Sequence, residues 1–205
     1  MILKYYAPVT AAYGFHFKSY DENIFTPVIR KQIRDIRPAD HGHYTVYLPA
    51  YDDETLVKHL SQFKDAKWDI FSKHNKTPFT KANITIRPIN NDQFIESMAN
   101  STGVLCGAGF EGPAEAMHLG KKVLAIPMLA QYEQQCNAAA LEDIGVPVIK
   151  TLSEKHYSQI QSWISNGTVI PANYPDNIAM VIEKLMNEHA TKHSFAFQKE
   201  MAISS

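Results

Sequence analysis

From residue 44 onward, the apolar residues follow two alternating patterns. Short continuous runs rich in β-branched and aromatic residues are typical of buried strands, and apolar residues three or four positions apart are typical of helices. The runs predict strands at residues 44–48, 68–71, 84–86, 104–106, 123–126 and 146–149. The helical spacing predicts helices between these strands, including one at residues 134–141, and two more after the last strand.

Residues that favour helix starts lie where these patterns change. Asp52 or Asp53 can cap the first helix of the series, and Asn91 or Asp92 can cap a later one, because a short polar side chain accepts a hydrogen bond from the first helical turn. Pro113 fits the first turn of the helix that follows a glycine-rich stretch, since the missing N–H costs little there.

This alternation predicts an α/β fold, namely a Rossmann-like, doubly wound parallel sheet with helices on both faces. Ligands of such folds bind at the carboxyl ends of the strands. The loops of interest for function are therefore residues 49–53, 72–77, 87–92, 107–112 and 127–134.

The first 43 residues do not follow the alternation. Their pattern predicts a strand at residues 13–17 and a helix at residues 23–37, despite Pro27. We predict that residues 1–43 are the end of a preceding domain plus a linker, that residues 44–190 form the Rossmann-like domain, and that residues 191–205 are a C-terminal tail.

The composition excludes several classes of protein. Among 205 residues, 20 are basic and 21 acidic, which gives a net charge of -1 and none of the basic excess of a nucleic-acid-binding protein. No apolar run approaches the ~20 residues of a transmembrane helix. Cys106 and Cys136, the two cysteines, make a disulfide scaffold improbable and a cytoplasmic location the expectation. We predict that both are small buried hydrophobic residues.

The strongest local motif is a glycine loop. Gly107, Ala108, Gly109, Phe110, Glu111 and Gly112 match the pattern G-x-G-x-x-G between a predicted strand and a predicted helix. Glycines allow a phosphate to approach the backbone, and a helix N-terminus offers N–H donors and the positive end of the helix dipole. The loop therefore predicts a site for a diphosphate.

Two alternatives remain open at this point. An NAD- or FAD-binding module of an oxidoreductase requires an acidic residue about 20 residues further on, but residues 125–128 carry no carboxylate. The loop also lies in the middle of the chain, and Glu111 would repel a diphosphate unless it points away. The second alternative is a turn whose glycines only allow tight packing between strand and helix.

The residues around the loop resemble the donor-site signature of GT-B glycosyltransferases. Closest in pattern are the UDP-sugar glycosyltransferases and the lipid-II-forming N-acetylglucosaminyltransferase. The signature is carried by residues 107–115, Gly120, Pro127, Glu133-Gln134 and Asn137-Ala138, and residues 86–91 resemble the loop that cradles the base. The resemblance covers residues 84–149 well and the flanking pattern loosely. It implies that the Rossmann-like domain is one half of a GT-B fold.

The resemblance also implies roles for single residues. Glu115 matches the glutamate that holds the ribose hydroxyls, while Glu133 and Gln134, with Gln135 adjacent, match the pair that contacts the sugar hydroxyls. For each there is a simpler alternative, an exposed helix residue for Glu115 and a solvated helix face for Gln134 and Gln135.

Further positions complete the expected donor site. Residues 109–112 would present backbone N–H groups to the diphosphate. Pro88 and Ile89 would lie beside the base, Asn137 would support the loop, and Tyr51 would approach the phosphates from the first strand-to-helix loop. Many plant and animal members carry a histidine where this chain has Gly107, so the backbone is the expected phosphate donor here.

The function implied by the resemblance is transfer of a glycosyl group from a nucleotide sugar, expected to be a UDP-sugar, to a hydroxyl acceptor. The amino-terminal acceptor domain of GT-B enzymes is missing from this pattern, so we expect an incomplete enzyme and assign no catalytic base. His16 and His74 are weak candidates.

No cofactor and no metal are expected, because the nucleotide sugar is a substrate and the chain has no Asp-x-Asp motif or clustered ligands. We expect a cytoplasmic protein, or one peripheral to a membrane through the missing domain. A nucleotide-sugar epimerase or hydrolase of the same fold, and a degenerate binding domain, are the further alternatives.

Overall fold

The computed structural model describes residue 9 and residues 11–190 of the chain. Its strands are β1 (Gly14–Phe15), β2 (Ile24–Phe25), β3 (His43–Tyr47), β4 (Lys67–Ser72), β5 (Phe79–Lys81), β6 (Ile84–Pro88), β7 (Gly103–Gly107) and β8 (Lys122–Ile126). Its helices are α1 (Lys31–Arg34), α2 (Asp53–Leu60), α3 (Asn91–Asn100), α4 (Glu111–His118), α5 (Tyr132–Asp143), α6 (Tyr157–Asn166) and α7 (Ile178–Leu185). A 3₁₀ turn lies at Glu154–His156 and a π-helical turn at Met186–Ala190.

The main sheet has six strands in the order β5-β6-β4-β3-β7-β8. The strands from β6 to β8 run parallel, and β5 pairs antiparallel with β6 at one edge. Numbered along the chain, the parallel strands have the spatial order 3-2-1-4-5, which is the doubly wound arrangement. The predicted fold class is confirmed. The order reverses between β3 and β7, where loops diverge to opposite faces of the sheet.

Helices cover both faces of the sheet, because its parallel strands carry buried side chains on both sides. On one face, α3, α4 and α5 contribute Met98, Met117 and Leu141 to a buried apolar cluster. On the other face, Leu60 of α2 and Trp163 of α6 pack over the strands. Packing of these two helix layers fixes the positions of the carboxyl ends of β3 and β7 relative to each other.

The segment before β3 packs against the first of these clusters. Phe17, Ile29 and Ile33 are buried there beside residues of α3 and α4. β1 and β2 form a small separate parallel sheet. Phe17, Ile29 and Ile33 therefore attach this segment to the core of the domain, while the assignment of residues 1–43 to the end of a preceding domain stays a prediction.

The helix predicted at residues 23–37 is wrong in extent, since only α1 is helical. Pro27 lacks an N–H and disfavours the helical conformation in the residue before it. The strand predicted at residues 146–149 is reduced to one bridge between Val148 and Ala125. Pro147 cannot donate to a ladder, although its carbonyl accepts from the N–H of Ala125 at 3.1 Å.

The helix caps follow the predicted chemistry with one shift. Asp52 caps α2, and its Oδ1 accepts from the N–H of Thr55 at 2.7 Å. The cap of α3 is Asn90 rather than Asn91 or Asp92. The tail predicted at residues 191–205 lies outside the described residues. Within the described part of the chain, no helix is both long and apolar enough to cross a membrane.

His43 belongs to a half-buried polar network at the start of β3, away from the carboxyl ends of the strands. Its Nε2 lies 3.1 Å from the carbonyl oxygen of Ser97, and Ser97 Oγ donates to Asp69 Oδ2 at 2.8 Å. Burial lowers the pKa of His43 below its ordinary value of 6.5, opposed by the hydrogen bond to Ser97 and the charge of Asp69.

We expect His43 to make the stability of the fold depend on pH. Because its folded-state pKa is lowered, the unfolded chain binds more protons just below pH 6.5, so stability present above that pH is lost as the pH falls through the folded pKa. Urea unfolding midpoints measured between about pH 8 and pH 5 should fall less steeply for His43→Gln than for the unmodified chain. Parallel curves for the two proteins would contradict the prediction. His118, whose pKa burial also lowers, contributes to the slope in the same direction.

Candidate functional site

A cleft of about 1080 Å³ opens at the carboxyl ends of β3 and β7. It lies where the strand order reverses, which is the usual ligand position in doubly wound sheets. Its walls come from the loops after β3, β7 and β8, and from Arg30, Asn91 and Phe94. The predicted loops 49–53, 107–112 and 127–134 therefore meet in one place.

The glycine loop forms the centre of the cleft wall. β7 ends at Gly107 and α4 begins at Glu111, so the connection is only residues 108–110. Gly109 and Gly112 have no left-handed backbone conformation, and a Cβ built on either would meet no atom within 4 Å. Packing therefore does not require glycine at these two positions. Since both line the cleft, the missing side chains leave backbone open to a ligand.

Gly107 lies at the end of β7 beside the side chain of Gln134. A Cβ there would lie 3.4 Å from Oε1 of Gln134, which is ordinary van der Waals contact, so packing does not require glycine at this position either. The side chain of Gln134 thus reaches the end of β7 across the cleft wall.

The N-terminus of α4 has no side-chain cap. Phe110 occupies the capping position and its side chain makes no capping hydrogen bond, and Pro113 has no N–H. The first-turn N–H groups of Glu111 and Gly112 therefore have no partner from a capping side chain, and they carry the positive end of the helix dipole. The opposite helix, α2, is capped by the carboxylate of Asp52, so an anion is favoured at α4 rather than at α2.

Glu115 is buried on α4 and holds an ion pair that the sequence analysis missed. Its side chain is 3% exposed, so the alternative of an exposed helix residue is wrong. Arg30 binds it in a bidentate manner, with Nε 2.6 Å from Oε1 and Nη2 2.8 Å from Oε2. Nη1 of Arg30 also donates to Oδ1 of Asn91 at 3.3 Å. The hydrogen bond to Glu115, with added attraction from Glu115 and Glu111, raises the pKa of Arg30.

The loop after β8 is held by the glutamines at the start of α5. Oε1 of Gln134 accepts from the N–H of Met128 at 3.0 Å, and its Nε2 donates to Gln131 at 2.9 Å. Nε2 of Gln135 donates to the carbonyl oxygen of Met128 at 3.0 Å. These bonds close the loop on the helix and shape the rim of the cleft. Gln134 and Glu133 line the cleft, whereas Gln135 lies outside it.

Comparison with known proteins now identifies the family. A family model described as glycosyl transferase family 1 matches residues 4–167, which is most of the chain. The chain belongs to this family. No curated protein matches it.

Solved structures agree with this family at the level of the fold. "Spinosyn Forosaminyltransferase SpnP" has a TM-score of 0.50 and 14% identity, over 82% of this chain and 51% of that one. The "Glycotransferase of kitacinnamycin" has a TM-score of 0.50 and 15% identity, over 82% and 46%. MurG of Acinetobacter baumannii has a TM-score of 0.49 and 18% identity, over 73% and 49%. The two structures with a TM-score of 0.50 support the finding that the chain has one half of a GT-B fold. The chain spans about half the length of each of the three structures.

Several expected donor-site residues of this glycosyl transferase family 1 chain lie elsewhere or act indirectly. Tyr51 lines the cleft, and its hydroxyl accepts from the N–H of Leu152 at 2.9 Å. Pro88 is the last residue of β6 and Ile89 follows it, and neither is among the cleft-lining residues described. Asn137 also lies off the cleft, and its buried Nδ2 makes no hydrogen bond. Ala108, a residue of the glycine loop, is fully buried and does not line the cleft.

An aromatic wall was not foreseen from the sequence. Tyr47, at the end of β3, and Phe94, on α3, both line the cleft with ring centroids 5.8 Å apart. Phe71 packs behind Phe94 at 5.3 Å. The hydrophobic pattern assigned these residues to strand and helix without indicating that they face a cleft, because their exposure depends on the loops around them.

In the described structure, neither the two cysteines nor the two candidate histidines supply a reactive group to the cleft. Cys106 is buried at the cleft, and burial raises the pKa of its thiol to about 12, which disfavours a nucleophile. Cys136 is exposed, so its predicted burial is wrong, because it lies on the solvent side of α5. Neither His16 nor His74 lines the cleft. Residues 9 and 11–190 contain no group of three or more His, Cys, Asp or Glu side chains that could hold a metal ion.

Proposed function

We propose that this chain forms the donor site of a glycosyltransferase that moves a glycosyl group from a UDP-sugar to a hydroxyl acceptor. The observation that carries the proposal is the uncapped N-terminus of α4, flanked by Gly109 and Gly112 facing an open cleft at the strand-order reversal. Membership of glycosyl transferase family 1 supports the reaction class, and the donor-site signature supports a uridine nucleotide.

In the proposed complex, the diphosphate lies against residues 109–112. The N–H groups of Glu111 and Gly112 donate to phosphate oxygens, and the helix dipole stabilises the charge. The backbone of Glu111, rather than its carboxylate, contacts the diphosphate in this proposal, and that carboxylate contributes to the raised pKa of Arg30. Tyr51 approaches from the loop after β3.

The remaining donor groups have proposed places around the diphosphate. The ribose hydroxyls donate to Glu115, and Glu133 accepts from the transferred sugar, while Gln134, Gln135 and Asn137 support the loop after β8. Pro88 and Ile89 remain on the base side, where Ile89 is half exposed. Phe94, which lines the cleft, offers an aromatic ring to the ligand.

The proposed chemical role of this domain is to stabilise the leaving group. The bond between the anomeric carbon and the diphosphate oxygen breaks, its electrons go to the diphosphate, and the acceptor oxygen bonds to the anomeric carbon. Donors already oriented at α4 stabilise the developing charge without reorganisation. We assign the base that takes the acceptor proton to an amino-terminal acceptor half, and we propose a cytoplasmic or membrane-peripheral enzyme.

The test is a calorimetric titration of the chain with UDP, UDP-GlcNAc and NADH under the same conditions. We expect saturable binding of UDP and UDP-GlcNAc and no comparable binding of NADH. The NADH arm is included because the glycine loop alone fits a dinucleotide. Stronger binding of NADH, or no binding of any of the three, would overturn the proposal that this chain forms a uridine diphosphate site.

A further inference from the structure

Arg30 joins the segment before β3 to the cleft wall through a bidentate ion pair. Both oxygens of Glu115 accept from it, at 2.6 and 2.8 Å, although 85 residues separate the two in sequence. A third hydrogen bond, to Asn91 Oδ1, ties the guanidinium to α3. The pair lines the cleft, with Arg30 41% and Glu115 3% exposed.

This ion pair fixes the orientation of the Glu115 carboxylate and leaves the carboxylate able to accept hydrogen bonds from a ligand. A carboxylate has about four lone-pair positions, and the guanidinium occupies one on each oxygen. Each oxygen therefore keeps acceptor capacity for a further hydroxyl. Burial of a carboxylate without a charged partner is strongly unfavourable, so Arg30 also provides the compensating charge.

We propose that Arg30 is a positioning residue of the donor site, which holds the Glu115 carboxylate in the orientation that accepts from both ribose hydroxyls. The inference rests on the proposed function. Because Arg30 belongs to the segment before the Rossmann-like strands, that segment completes the ribose wall. A donor domain cut at residue 43 would lack this part of its site.

The test compares UDP with 2′-deoxy-UDP by calorimetry, since the ratio of their affinities reports the ribose contact. The unmodified chain should prefer UDP. Arg30→Met should weaken UDP binding about tenfold and bring the ratio close to unity, because a misplaced carboxylate no longer discriminates the hydroxyl. Arg30→Lys should restore little, since an ammonium lacks the bidentate fork.

Two further variants separate positioning from general destabilisation. In a Glu115→Gln background, Arg30→Met should change the ratio no further, because Arg30 acts through Glu115. Arg34→Met is the matched control, since Arg34 lies in the same segment but donates to the carbonyls of Ile29 and Tyr174. It should keep the preference for UDP.

The outcomes distinguish the two proposals. If the unmodified chain does not bind UDP, the proposed function fails and this inference fails with it. If the unmodified chain binds UDP and Arg30→Met, folded by circular dichroism, keeps the unmodified ratio, only the positioning role is overturned. An equal loss of preference in Arg34→Met would also overturn it, because loosening of the segment would then suffice.

Discussion

Replacing Gly112 by alanine is expected to weaken UDP binding about tenfold or more while leaving the fold at least as stable. Gly112 is the second residue of α4, and a Cβ there would meet no protein atom within 4 Å. Alanine in place of a helical glycine stabilises by about 0.4–1 kcal/mol where the backbone accepts it. The same methyl group stands at the proposed diphosphate position and blocks hydrogen bonds to a charged ligand, each of which is worth about 1.5–3 kcal/mol.

Urea unfolding and calorimetric titration on the same preparation measure the two effects. The important result is that stability rises or stays the same while UDP affinity falls, because a variant that is damaged in its fold would lose both stability and affinity. Gly103→Ala is the contrasting control, since its Cβ would lie 2.9 Å from the carbonyl oxygen of Lys122 and should destabilise the sheet. If Gly112→Ala binds UDP with unchanged affinity, the diphosphate does not lie at the α4 N-terminus and the prediction is wrong.

The main sheet could be predicted because its central strands are buried on both faces, so their apolar runs are continuous and unmistakable. β7 and β8 are examples, with nearly every residue buried. The edge strand β5 could not be predicted in this way, because all of its residues are exposed and its pairing with β6 leaves no apolar run in the sequence. Local patterns therefore locate the core strands and miss the edge.

Local sequence likewise predicts one part of the candidate site and misses another part that depends on tertiary packing. The glycine loop and Glu115 lie within one strand–turn–helix unit, so their proximity follows from local sequence. The partner of Glu115 does not, because Arg30 reaches it only after the segment before β3 packs on α3 and α4. The only sequence signal for this contact was that Arg30 is a basic residue close to two isoleucines, Ile29 and Ile33, which are buried in the structure. Without the tertiary structure it fits a solvated linker equally well.

The hydrogen bonds of Gln134 illustrate a second limit. The resemblance implies a contact with the sugar, and the side chain does line the cleft. Its carbonyl and amino groups are nevertheless hydrogen-bonded to Met128 and Gln131. Sequence spacing indicates which residue faces a site, but which of its polar atoms remain free depends on the loop conformation.

Replacing Ile33 by alanine should cost about 2–5 kcal/mol of unfolding free energy. Ile33 is 0% exposed and packs with residues of α3 and α4, so alanine leaves a cavity in the largest apolar cluster rather than a change at the surface of a linker. Urea unfolding measures the loss, and Val28→Ala, at a residue 36% exposed in the same segment, should cost less than about 1 kcal/mol. Equal, small costs for the two variants would mean that the segment is not part of the core. A large cost for Ile33 alone would make the segment before β3 a structural part of this domain, and so give Arg30 a rigid support from which to hold Glu115.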